Sequence, residues 1–184
     1  HLDKLYNPQF IFTNMKTIIS EKLPRILKAK RKIEETLNVR ITNRGKEVNL
    51  EGNPEDEYFA EKVIDAINLG FEINDALTIK TEENLFEVLN VKDHTHRNDL
   101  TRIRGRIIGT EGKTKNALAQ LTKCAFAIQD NSVGIIGPPE SIELARNAVI
   151  SIIQGSKTAN VYAHLEKNQP APILDLGLKE AKKR

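Results

Sequence analysis

The stretch Arg102-Ile103-Arg104-Gly105-Arg106-Ile107-Ile108-Gly109-Thr110-Glu111-Gly112-Lys113-Thr114-Lys115 gathers the residue types that hold phosphate. Five of these fourteen residues are basic and one is acidic. Gly109 and Gly112 bracket a sharp turn between two stretches of helical apolar spacing. Glycine lacks a Cβ, so the chain there can approach a ligand closely and adopt positive φ without steric cost. The turn leads into a helix expected over Lys113–Thr122, with Ala117, Leu118 and Leu121 on one face. The first amides of such a helix have no intrahelical partner and, with the helix dipole, attract anions. Lys113 and Lys115 add mobile charge at the same end. Arg102, Arg104 and Arg106, two apart, cannot share one helical face, so only some of them can point at a ligand. A bare G-x-x-G means little. Set between two periodic helices and flanked by cations, it favours phosphate-backbone binding over a solvated charged corner.

Enzymatic alternatives fit less well. Gly112-Lys113-Thr114 looks like the end of a nucleotide-binding P-loop, but that motif requires glycine where Ile107 stands, and a P-loop follows a strand rather than a helix. Asp93-His94-Thr95-His96 has neither a cysteine cluster nor a His-Glu-x-x-His helix, so these read as surface histidines and no metal site is expected. The adjacent pairs Glu34-Glu35 and Glu82-Glu83 point in different directions and have no nucleophile or base nearby. No catalytic residue and no cofactor are expected. The single cysteine, Cys124, excludes an internal disulfide and reads as a small core residue.

The 184 residues carry 28 Lys and Arg against 25 Asp and Glu, a net charge of +3, so the positive charge near Gly109 is local rather than global. Aromatics make up 5% with no Trp, which excludes stacking platforms as the main binding mode. Apolar runs such as Ala148–Ile153 are far shorter than the roughly 18 residues of a membrane span. The chain opens His1-Leu2-Asp3, without an initiator Met or a signal-peptide core.

An internal repeat organises the elements that position the loop. Val48-Asn-Leu-Glu-Gly52-Asn-Pro54-Glu55 returns as Val133-Gly-Ile-Ile-Gly137-Pro-Pro139-Glu140, and the match runs without a gap through Ala60/Ala145 and Ile67/Ile152 to Gly70/Gly155. Each copy predicts a strand, a turn and a helix with an acidic first turn that stops at glycine. The offset suits a duplicated small domain better than a solenoid repeat. Upstream, the second copy reads as a strand at Leu85–Val91, a basic helix over Leu100–Ile108, the glycine loop, the helix Lys113–Thr122, and strands Cys124–Gln129 and Ser132–Ile136 joined at Asp130-Asn131. The first copy predicts a strand at Met15–Ile19, a helical region Leu23–Leu37, and a hairpin of Val39–Thr42 and Glu47–Leu50 turning at Asn43-Arg44-Gly45. The expected class is α+β, each copy a three-stranded sheet packed on three helices.

Ile107-Ile108-Gly109-Thr110-Glu111-Gly112-Lys113-Thr114, followed by Leu118 and Leu121-Thr122, resembles the KH signature, and the chain as a whole resembles two tandem KH domains. Gly105 to Gly109, Thr122, Val133, Ile136-Gly137, Ala145-Arg146, Gly155 and Val161-Tyr162 are further similar to the two-KH small-subunit ribosome-assembly factors, the partner-of-Nob and Krr proteins of archaea and eukaryotes. Gly70-Phe71 and Asp75-Ala76-Leu77 fit the inter-domain segment of that family. The division implied is an N-terminal segment 1–14, a first KH-like domain 15–70, an inter-domain segment 71–84, a second KH domain 85–165 and a tail 166–184.

The resemblance implies a non-catalytic protein that holds single-stranded rRNA near the 3′ end of the small-subunit rRNA and works with the endonuclease that trims it. Its compartment would be the cytoplasm in an archaeon, and the nucleolus, nucleus and cytoplasm in a eukaryote. Carried onto this chain, the RNA contacts are Arg104, Arg106, Ile108, Gly109, Thr110, Glu111, Gly112, Lys113, Thr114 and Lys115. Ala117 and Phe126 would line the base groove with Ile108, or serve as core. The first copy departs from the pattern: Leu23-Pro24-Arg25-Ile26-Leu27-Lys28-Ala29-Lys30-Arg31-Lys32 has no glycine, which assigns that domain to packing or protein contacts. The alternative is a scaffold that contacts an rRNA-processing endonuclease or a translation initiation factor and binds RNA weakly. The tail, with a break at Asn168-Gln169-Pro170 before Ile173–Leu178 and basic Lys179–Arg184, reads as a flexible or weakly docked terminus.

Overall fold

The computed structural model describes residues 16–168. Segment 1–14, Met15 and the tail beyond Asn168 lie outside the described residues. The first half runs β1 (Lys16–Ile19), α1 (Leu23–Lys28), α2 (Lys30–Leu37), β2 (Arg40–Arg44), β3 (Glu47–Glu51) and α3 (Pro54–Leu69). A further helix, α4 (Ile73–Thr81), leads into β4 (Leu85–Asn90) and a 3-10 turn at Val91–His94. The second half continues with α5 (Leu100–Ile108), a 3-10 turn at Thr110–Gly112, α6 (Lys113–Thr122), β5 (Ala125–Gln129), β6 (Ser132–Gly137), α7 (Pro139–Gln154) and α8 (Thr158–Lys167).

Two antiparallel sheets result, with strand orders β1-β3-β2 and β4-β6-β5. The last strand of each half lies in the middle, so the halves share one topology. Val48 faces Ile18 and Asn43 across the first sheet, as Val133 faces Leu89 and Ile128 across the second. Both α3 and α7 begin at proline, whose missing N–H costs nothing in a first turn. Both stop at a left-handed glycine, Gly70 at φ 115° and Gly155 at φ 110°.

The halves differ in what their sheets cover. In β3 (Glu47-Val48-Asn49-Leu50-Glu51) only Val48 and Leu50 are buried, the alternation of a sheet with one wet face. In β6 every residue from Val133 to Gly137 is buried. Val133 and Ile135 belong to the core under α5–α7, whereas Ile136 and Ala127 join the core of the first half. The second sheet is therefore sandwiched between its own helices and the α3–α4 side of the first half. Gly134 permits that approach: a Cβ there would stand 2.3 Å from Leu69 Cδ2 and 2.6 Å from Phe71 Cε2. Phe71 meets Phe86 edge-on at 6.0 Å, and Lys22 Nζ donates to Gln129 Oε1 at 2.6 Å across the same seam.

Three features of the structure add detail to the sequence reading. The helical region Leu23–Leu37 is two helices broken at Ala29. Segment 71–84 contains the packed helix α4, with Ala76, Leu77 and Ile79 buried. A fourth helix also closes the second half, as α8 buries Val161 and Leu165 and runs two residues past the expected boundary at 165. Each half thus has a helix beyond the expected three. The cause is the same in both: a sheet with three covering helices leaves apolar flank exposed, and a short amphipathic segment covers it.

Candidate nucleic-acid interface

The loop between α5 and α6 owes its shape to its two glycines. Gly109 sits at φ 76°, ψ 169°, a conformation open essentially to glycine alone. A Cβ at Gly109 would also lie 2.4 Å from Thr114 Oγ1 and 2.6 Å from the Thr114 nitrogen. Gly112, at φ 76°, ψ 10°, is left-handed but open: its nearest neighbour would be Asn116 Nδ2 at 3.9 Å. Glu111 between them is left-handed too, at φ 54°. The Gly112 N–H donates to the Gly109 carbonyl at 3.2 Å, closing the turn. Thr110, Glu111 and Lys113 are exposed at its tip.

The expected contact residues separate into groups. Lys113, Lys115 and Arg104 form no side-chain hydrogen bond or ion pair among the described residues, and Lys113 is exposed. Arg106 is engaged elsewhere: its guanidinium donates to the Ile152 carbonyl at 3.0 Å and the Ser156 carbonyl at 2.5 Å. That satisfies the C-terminal end of α7, where cations are favoured. Thr114 is buried at 8% exposure beneath Gly109, so it packs the loop rather than facing outward.

A groove of about 400 Å³ opens beside the loop, between α6 and β5 on one side and α4 on the other. Lys115, Ala119 and Lys123 line it at helical spacing of four, with Ala125 and Phe126 from β5. Phe126 reaches this groove; Ile108 and Ala117 do not line it. Sequence reasoning missed Ala119 and Lys123, which the four-residue spacing from Lys115 could have revealed. It also missed the α4 wall, for which no local signal exists. Cys124, beside the groove, is buried, and that burial pushes its thiol pKa up; its Sγ donates to the Thr122 carbonyl at 3.4 Å. Among the described residues no group of three His, Cys, Asp or Glu gathers as a metal site would require, and no helix is long and apolar enough to cross a membrane.

The glycine-free counterpart in the first half joins α1 to α2 through Ala29 alone. Its cations are mostly spent within the fold. Lys30 pairs with Glu34 at 3.7 Å and Arg31 with Glu35 at 2.7 Å, while Lys32 donates to Asn74 and Arg25 meets Glu72 at 3.1 Å.

A family model described as the eukaryotic-type KH domain (KH-domain type I) matches residues 85–170, the part that holds this loop and groove. The Saccharomyces cerevisiae pre-rRNA-processing protein PNO1 is 35% identical over 139 residues, covering 70% of this chain and 50% of the yeast protein. The crystal structure of Dim2p from Pyrococcus horikoshii superimposes with a TM-score of 0.76 at 26% identity, covering 83% of this chain and 98% of that one. Over most of its length the chain is similar to PNO1/Dim2 proteins. It spans about half the length of the curated PNO1 relatives it matches. A chain in the structure of the P. horikoshii a/eIF2α–aDim2p–rRNA complex is also similar, with a TM-score of 0.76 at 27% identity, covering 88% of this chain and 97% of that one.

Proposed function

We propose that this chain is a non-catalytic RNA-binding protein of small-subunit ribosome assembly, holding single-stranded rRNA near its 3′ end through the second half. The observation that carries this reading is the exposed Gly109–Gly112 turn at the start of α6, with Arg104, Lys113 and Lys115 unpaired around it. The dipole of α6 and these side chains together suit a phosphodiester backbone, which KH loops clamp over four nucleotides. Bases would then lie in the groove between α6 and β5. Thr110 and Glu111 sit at the tip, within reach of the backbone, while Thr114 supports it from below.

The first half has the same strand and helix order, so we read the chain as two tandem KH-like domains of which the first has lost its clamp. Its internally paired cations suit a protein-facing role. The P. horikoshii relative was solved in a complex with a/eIF2α and rRNA, and the yeast relative is named for pre-rRNA processing. An initiation factor and the processing endonuclease are accordingly the partners proposed. The place of work would be the cytoplasm of an archaeon, or the nucleolus and cytoplasm of a eukaryote.

The test is fluorescence anisotropy with single-stranded oligonucleotides from the small-subunit rRNA 3′ end, over a salt series. Thr110→Asp with Glu111→Asp adds one carboxylate, at position 110, and keeps the one at 111, so two stand against the phosphates. About tenfold or greater weakening is expected, equivalent to about 1.4 kcal/mol of like-charge repulsion. Lys113→Ala lowers the slope of log affinity against log salt by about 0.7, one phosphate contact on a single strand. Arg106→Ala leaves that slope unchanged, because its guanidinium is held by α7. Unchanged affinity in the doubly substituted loop, together with a flat salt response, would favour the scaffold alternative.

A further inference from the structure

The groove beside the glycine loop has two unlike walls. On the α6 side, Lys115 and Lys123 flank the small side chain of Ala119 above Phe126, offering cations at the rim and an apolar floor. On the far side, α4 and the residues after it bring Asp75 and Glu82 to the same groove. The Asp75 carboxylate has no hydrogen-bond or ion-pair partner among the described residues, and Glu82 meets only Asn84 Nδ2 at 3.4 Å. Both are exposed at the mouth. A carboxylate repels the phosphates that Lys115 and Lys123 attract, so the α4 wall is unsuited to the backbone of a bound strand. An ionised carboxylate only accepts hydrogen bonds. Adenine, cytosine and guanine each offer an exocyclic amino group with two N–H donors, whereas uracil has no amino group and offers only its single ring N3–H.

We propose that α4 forms the outer wall of the base groove, and that Asp75 and Glu82 are specificity-determining residues selecting bases with an exocyclic amino group over uracil. The proposal rests on the RNA-binding reading and deepens it. It also explains why the second sheet is docked on the first half: Gly134 and the Phe71–Phe86 contact hold α4 at a fixed distance from β5. The first half, without a clamp of its own, then contributes to recognition by supplying a wall.

The experiment compares the parent chain with Asp75→Asn/Glu82→Gln, a double substitution at exposed positions that preserves size. Eight-nucleotide oligoadenylate, oligocytidylate and oligouridylate are titrated at one salt concentration. The parent is expected to prefer the adenine or cytosine oligomer over the uridine oligomer by about tenfold, the discrimination of one good base contact. The variant should lose that preference while binding oligouridylate at least as tightly as the parent. A parent without preference overturns the proposal. So does a variant that keeps the parent's ratio, or one that gains affinity equally for all three oligomers, since that would be simple relief of repulsion. A parent that binds no oligomer removes the RNA-binding reading itself, a result distinct from the others.

Discussion

Gly109 and Gly112 look interchangeable in the motif, yet the structure gives them unequal costs on substitution. At Gly112, alanine must adopt a left-handed conformation in open space, a cost of about 1 kcal/mol. At Gly109 alanine meets two penalties. The conformation at φ 76°, ψ 169° costs an L-residue about 1–3 kcal/mol. The new Cβ would also overlap Thr114 Oγ1 at 2.4 Å and its backbone nitrogen at 2.6 Å, and overpacking of this kind costs about 1–3 kcal/mol more. A total near 3 kcal/mol is expected. With a urea slope of about 2 kcal/mol per molar, the denaturation midpoint should fall by about 1.5 M for Gly109→Ala and about 0.5 M for Gly112→Ala. Urea unfolding followed by far-ultraviolet circular dichroism measures both. Because one of the clashes is with backbone, adding Thr114→Ala to Gly109→Ala should not restore the midpoint. Equal shifts at the two glycines, or rescue by Thr114→Ala, would refute the reasoning.

Two further outcomes follow from burial. Gly134→Ala drives a methyl into Leu69 and the buried Phe71 ring, and should destabilise the seam between the halves by about 1–3 kcal/mol; an unchanged urea midpoint would show that the halves do not bear on each other there. Desolvation raises the folded Cys124 pKa above the ordinary thiol value. The thiol's contribution to stability is therefore complete below about pH 8.5 and lost as pH rises through the folded pKa, because only the unfolded chain ionises readily in that window. The stability of the parent relative to Cys124→Ala should accordingly hold from pH 7 to about 8.5 and decline above it, as read from denaturation midpoints, and a constant difference up to about pH 10 would contradict burial of the thiol.

The glycine loop, its helices and the duplicated topology were legible because each has a local signature. Apolar spacing set α5 and α6 to within a residue, and the Gly70 and Gly155 stops were visible as endings of aligned helices. The spacing of Arg102, Arg104 and Arg106 announced that they diverge, but not which one would turn to α7. The family resemblance makes Arg106 an RNA contact, and only the position of the Ile152 and Ser156 carbonyls gives it another partner. The same resemblance makes Thr114 an RNA contact; the close approach of Gly109 places it beneath the loop.

What the sequence alone determined is the local chemistry: a flexible, cation-flanked turn ahead of a helix, repeated elements, and a first copy without glycine. The continuous apolar run of β6 against the alternating β3 also carried a message that only the fold makes plain, that one sheet is covered on both faces. The tertiary structure decided that the two sheets share a seam and that α4 stands against the base groove. It also decided which cations remain free. Most of those outcomes depend on residues far apart in the chain coming into contact, and neither periodicity nor a motif encodes the distance between two separately formed surfaces.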